Sequence, residues 1–148
     1  MADATRIPTT ETDLPELFRR TSKRIHRNQM ARLAPLGLTP AQSRALRTIG
    51  RAPEPLRMSA LAERLDIVPR SATTVVDALV DAGLVNRAPD PANRRSTLVT
   101  PTEAGHRILT RMSEARREAA AETFAALSET QRETLRELLA TLDAAGPA

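Results

Sequence analysis

Two short polar stretches carry most of the chemistry in this sequence. Residues 69–74 read PRSATT, and residues 93–95 read NRR inside PDPANRR at 89–95. Arg70, Ser71, Thr73 and Thr74 fall on the face of an expected helix opposite Val75, Val76 and Leu79. A guanidinium there can take guanine O6 and N7 together, and a Ser or Thr side chain can bond a phosphate or meet a thymine methyl. The helix N-terminus itself attracts phosphate. Arg94 and Arg95 sit at the tip of a stiff polar turn, where a guanidinium suits the negative potential of a DNA minor groove. A plainer account stays open for both stretches: Ser and Thr favour first helical turns, and surface arginines are commonly just solvated. Ser59 opens a short helix as its cap or as a phosphate donor, capping being the better fit. Asp77 lies too far along its helix for a base contact and is expected to pair with an arginine. Arg87 is expected to brace the hairpin through salt bridges.

Sharp helix starts place these groups. TPAQ at Thr39–Gln42, TPTE at Thr100–Glu103 and SETQ at Ser128–Gln131 each read as a capping box. Pro69 can open a further helix, and Asp13 can cap the first. The expected helices span 13–33, 40–49 ending at Gly50, 59–65, 69–82 ending at Gly83, 101–127 and 129–142. RAPEPLRM at 51–58 reads as a loop. Leu84–Ala88 and Ser96–Thr100 lean to β structure and flank a long proline-stiffened tip. Leu61, Ala62, Leu65 and then Val75, Val76, Leu79, Val80 should face inward. Leu14, Leu17, Phe18, Ile25 and Leu33 share one face of the first helix. Residues 1–12 are expected to form a flexible N-terminus, and the last few to fray.

Composition narrows the class. A chain of 148 residues with 41% apolar content suits one domain with a real core. With two Phe and neither Tyr nor Trp, that core must be Leu, Ala, Val and Ile, which suits helices. The net charge of +4 favours polyanionic partners, and Lys23 is the single lysine among the bases. Without cysteine there is no disulfide, thiolate catalysis or thiol redox sensing. No apolar run approaches the roughly 18 residues of a membrane span. MADATRIPTTETD lacks the apolar core of a signal peptide, so a cytoplasmic protein is expected. His26 and His106 show no metal-ligand spacing, and no phosphate-binding glycine loop, nucleophile elbow or flanking carboxylate pair appears. Neither an enzyme nor a cofactor is expected.

A short helix, a tight turn, a second helix and a hairpin make a winged helix-turn-helix. LAERL (Leu61–Leu65), LVDAGLVNR (Leu79–Arg87), NRR (Asn93–Arg95) and TPTEAG (Thr100–Gly105), in that order, resemble the MarR family of bacterial transcription regulators. With the outer helices the resemblance covers about 13–143. Three positions depart from the family pattern. Asn93 replaces the wing aspartate, with Asp90 as a substitute brace for the arginines. Pro101 replaces a leucine and should trim the hairpin and start the next helix early. Asp66 stands where glycine often makes the turn, which aspartate tolerates.

The resemblance implies a mainly α fold with a small β-hairpin wing: a winged helix-turn-helix over 39–100, flanked by dimerisation helices at 13–38 and 101–148. It implies a homodimer on a pseudo-palindromic double-stranded DNA operator. The recognition helix Pro69–Ala82 would enter the major groove and the wing's Arg94 and Arg95 the minor groove, Arg95 matching the family arginine. Arg94 better suits a phosphate or a pairing with Asp90. Repression released by a small aromatic or phenolic anion is also implied, with Arg24, His26 and Arg47 as candidate ligand-binding residues. Leu14, Phe18, Ile108, Met112, Phe124, Leu135, Leu138 and Leu142 are apolar residues to spare for the dimer. Residues 17–53 hold nine bases and no acid, better matched to glutamates of the last two helices across a subunit interface than to DNA. The rival reading keeps the fold as a protein–protein interaction module without sequence-specific DNA binding.

Overall fold

The computed structural model describes residues 13–146. Its elements are α1 (Asp13–Leu33), a 3-10 turn (Ala34–Leu36), α2 (Pro40–Arg51), β1 (Leu56–Arg57), α3 (Met58–Leu65), α4 (Pro69–Asp81), β2 (Val85–Asp90), β3 (Asn93–Pro101), α5 (Glu103–Phe124) and α6 (Glu129–Ala144). The chain is mainly helical with one small antiparallel sheet, ordered β1-β3-β2. Leu33–Ala115 form one compact unit. The described residues up to Arg32 and those from Arg116 onward form the other. Expectations for residues 1–12 lie outside the described residues, and Asp13, named as a cap, is itself helical in the acidic first turn with Glu16. No helix among the described residues is long and apolar enough to cross a membrane.

Two capping boxes form as read. Thr39 Oγ1 accepts from the Gln42 N–H at 3.1 Å, and Gln42 returns the bond to the Thr39 N–H. Ser128 and Gln131 do the same at the start of α6. The third does not form at Thr100. β3 runs through Pro101, paired with Val85, so the hairpin is not trimmed and α5 starts at Glu103. Thr102 is the cap, its Oγ1 accepting from the Gly105 N–H at 3.0 Å. The same hydroxyl donates to the Gly83 carbonyl at 2.6 Å, and the Thr102 N–H donates to Leu84 O at 3.0 Å. Thr100 is committed to its pairing with Asn86.

Gly50 does not stop α2, which continues to Arg51; a Cβ there would lie 2.4 Å from Leu109 Cδ1, so the glycine makes room for α5. RAPEPLRM is not all loop: Leu56 and Arg57 pair with Val99 and Leu98 and lead straight into α3. The strands also extend into the expected wing tip, leaving only Pro91 and Ala92 between them. Asp66 turns the chain in the left-handed region at φ 53, as its residue type allows. The core of Leu33–Ala115 is aliphatic, with Leu46, Ile49, Leu61, Val76, Leu79, Val85, Val99 and Met112 sealed from solvent. Met112 is therefore core rather than spare for a partner. In α4 the buried line is Ala72, Val76 and Leu79, while Val75 and Val80 are half-buried at its margins.

Thr102→Ala should cost about 1–2 kcal/mol, the usual worth of a lost N-cap, and Thr100→Ala clearly less. Gly105→Ala should cost about 1–3 kcal/mol by overpacking, because its Cβ would fall 2.1 Å from Leu84 O. Urea unfolding midpoints of the three variants check the order.

Candidate nucleic-acid interface

Proline sets the leading end of α4. Val68 is the N-cap, extended at φ −69 and ψ 150, and Pro69 occupies the first turn. A residue before proline is held out of the helical region, so the cap forms without a side-chain bond. Ala72, Val76 and Leu79 anchor the helix inward, leaving Arg70, Ser71, Thr73 and Thr74 all exposed. Thr73 and Thr74 donate their hydroxyl protons to the Pro69 and Arg70 carbonyls, each at 3.1 Å. These bonds hold each hydroxyl against its own helix. Arg70 and Ser71 keep their donors.

Ser59 is exposed but does not cap α3. The cap position falls on Arg57, because β1 feeds directly into the helix.

The hairpin is tied down at both ends. Arg87 Nη1 meets Asp77 Oδ1 at 2.5 Å, joining β2 to α4. This is the brace expected of Arg87 and the arginine partner expected of Asp77. At the far end Asp90 is buried, and the expected Arg94–Asp90 pair is absent. Asp90 Oδ2 instead accepts from Arg57 Nε at 2.9 Å, and its Oδ1 accepts from the Ala92 N–H at 2.9 Å. β1, which local pattern hid, supplies that arginine. The Ala92 N–H holds the Asp90 carboxyl below the ordinary aspartate value; burial opposes this, and Arg57 reinforces it. Asn93 Oδ1 accepts from the Arg95 N–H at 3.1 Å, so the amide still shapes the turn. Arg94 and Arg95 are exposed on the opening residues of β3, directly after the two-residue turn. Arg94 shares a shallow groove with Arg87, Ala88, Pro89, Ser96 and Thr97.

The other candidates are placed separately. Arg24 and His26 are exposed on α1, and Arg47 is half-buried on α2 in the other compact unit. Arg32 on α1 bridges Glu118 at 2.9 Å and Glu122 at 2.8 Å, so part of the basic stretch is balanced within one chain. Sequence reasoning missed Arg57 as a support and Val68 as an exposed apolar group; only the short apolar–basic pair Leu56–Arg57 hinted at a strand.

Helix, turn, helix and a braced two-stranded wing beside a third short strand define a winged helix-turn-helix protein. Residues 36–96 match the model of the MarR family. The uncharacterized HTH-type transcriptional regulator Mb0904 of Mycobacterium bovis is 40% identical over 77 residues, 52% of this chain and 54% of that protein. The chain thus spans about half the length of the curated relatives it matches. The apo form of MarR from E. coli is similar along nearly the whole chain, at TM-score 0.75, 27% identity and 93% and 97% coverage. A mutant of S. aureus MepR bound to an oligodeoxyribonucleotide shares the fold at TM-score 0.71 and 19% identity, covering 88% of this chain and 96% of that one. Over residues 36–96 the chain is similar to the MarR family, and its fold is that of the MarR structures.

Asp90→Asn keeps an acceptor for Ala92 but removes the charge. A carboxyl whose value is lowered in the folded state adds stability above its unfolded value and loses it as pH falls through the folded one. Wild type should therefore melt above Asp90→Asn at neutral pH, with the gap closing as pH drops below the ordinary aspartate value. Paired thermal melts from pH 7 to about 2.5 check this.

Proposed function

We propose that the protein is a homodimeric, sequence-specific double-stranded DNA-binding transcriptional regulator of the cytoplasm. The observation that carries the reading is the exposure of Arg70, Ser71, Thr73 and Thr74 on one prolyl-capped helix beside a wing braced to it by Arg87 and Asp77. Arg70 reads bases in the major groove from α4, and Arg95 enters the adjacent minor groove. Arg94 and Ser71 hold phosphates, which fix register without reading sequence. Mb0904 is named a transcriptional regulator, and the MepR mutant was bound to an oligodeoxyribonucleotide; both favour a regulator over an enzyme.

Pairing of subunits has its own support. Leu14, Leu17 and Phe18 on α1 and Leu138, Leu139 and Leu142 on α6 are exposed, Leu14 at 70% and Leu142 at 67%. Such stripes call for a covering surface, and a second copy supplies it with the symmetry an inverted-repeat operator needs. Repression, and its release by a small aromatic or phenolic anion, follow from the family resemblance.

Selection from a random duplex pool should enrich an inverted repeat. Arg70→Ala should lose about 1–3 kcal/mol of discrimination at one position per half-site. Arg94→Ala should weaken all sequences alike and lower the salt slope by about one unit. A protein with no salt-steep duplex affinity would instead be an interaction module.

Leu138→Asp should shift sedimentation equilibrium from dimer to monomer and weaken operator binding. A wild-type monomer at micromolar concentration would overturn the pairing.

A further inference from the structure

We infer that Val68 is a specificity residue that reads the C5-methyl group of a thymine in each half-site. This rests on the duplex-binding reading above and deepens it. Val68 is 63% exposed, the one large apolar side chain so exposed within Leu33–Ala115 among the described residues. The others so exposed belong to α1 and α6. The cap position of Val68 does not itself call for an apolar side chain. Val68 is the N-cap of α4, where Ser, Thr, Asp or Asn would bond a free helix N–H, and it makes no such bond. Pro69 already dictates the extended backbone at this position, whatever side chain precedes it.

The neighbouring chemistry points the same way. Thr73 and Thr74 are exposed, and their hydroxyls donate to the Pro69 and Arg70 carbonyls. The leading end of α4 exposes an apolar side chain at Val68, two residues before Arg70, the one cation of that helix. In the major groove the thymine methyl is the apolar feature of the base edges; every other marker is a hydrogen-bond donor or acceptor. An exposed valine gains nothing from those polar atoms and gains contact area from the methyl.

The test uses the full chain and the duplex that it selects. Thymines are replaced one at a time by deoxyuridine, which removes the methyl and keeps the base pair. Wild type should lose about fourfold in affinity at one position of a half-site, the worth of about 0.8 kcal/mol for one buried methyl. Val68→Ala should bring the thymine-to-uracil ratio at that position close to one and leave the guanine preference set by Arg70 in place. Melting curves should coincide, since Val68 lies outside the core. Equal ratios for wild type and Val68→Ala at every position would overturn the inference alone, as would selection of a sequence with no deoxyuridine effect. A wild type that selects no sequence would overturn the duplex reading and this inference together.

Discussion

The threonine at 102 binds three elements at one point. Its hydroxyl gives its proton to Gly83, where α4 has just ended, and accepts the Gly105 N–H in the first turn of α5. Its own N–H goes to Leu84, the residue leading into β2. The glycine at 105 has to be bare, because the Leu84 carbonyl occupies the space a side chain would need. The end of α4, the start of the wing and the first turn of α5 thus meet on a few atoms of backbone and one hydroxyl.

Two ion pairs then fix how the wing stands against the rest. Arg87 with Asp77 sets its root, and Arg57 with Asp90 sets its far end. Arg87 and Asp77 are both partly exposed, at 37% and 49% of the side chain, so that pair adds little to stability, whereas Asp90 is buried and depends on its partners. The value of both pairs is positional: the exposed guanidiniums at 94 and 95 hang from a strand held at both ends. Preorganisation of this kind lowers the ordering cost of association.

Much of this was readable in the chain. Helix starts at Thr39 and Ser128 are local events, written in four residues each, and they fold as written. The choice between Thr100 and Thr102 was not local. It depends on the strand pairing of Thr100 with Asn86, fourteen positions earlier, and on a carbonyl at Gly83. β1 was hidden for the same reason, since two residues have no periodicity and exist as a strand only through β3. Gly50 looked like punctuation because the helix it accommodates lies far along the sequence. At the candidate interface, residue types pointed to Arg70 and the wing arginines, but the exposure of Val68 and the local bonds of the two threonine hydroxyls depend on how the helix packs.

The sheet has two edges, and both are poor templates for another strand. One is β1, two residues long. The other is β2, broken by Pro89 and a register shift just after it, with the charged Arg87 and Asn86 alongside. Short strands, proline and bulges are the devices that keep β edges from recruiting neighbours. Neither edge therefore offers a second copy a long run of free backbone groups on which to extend the sheet.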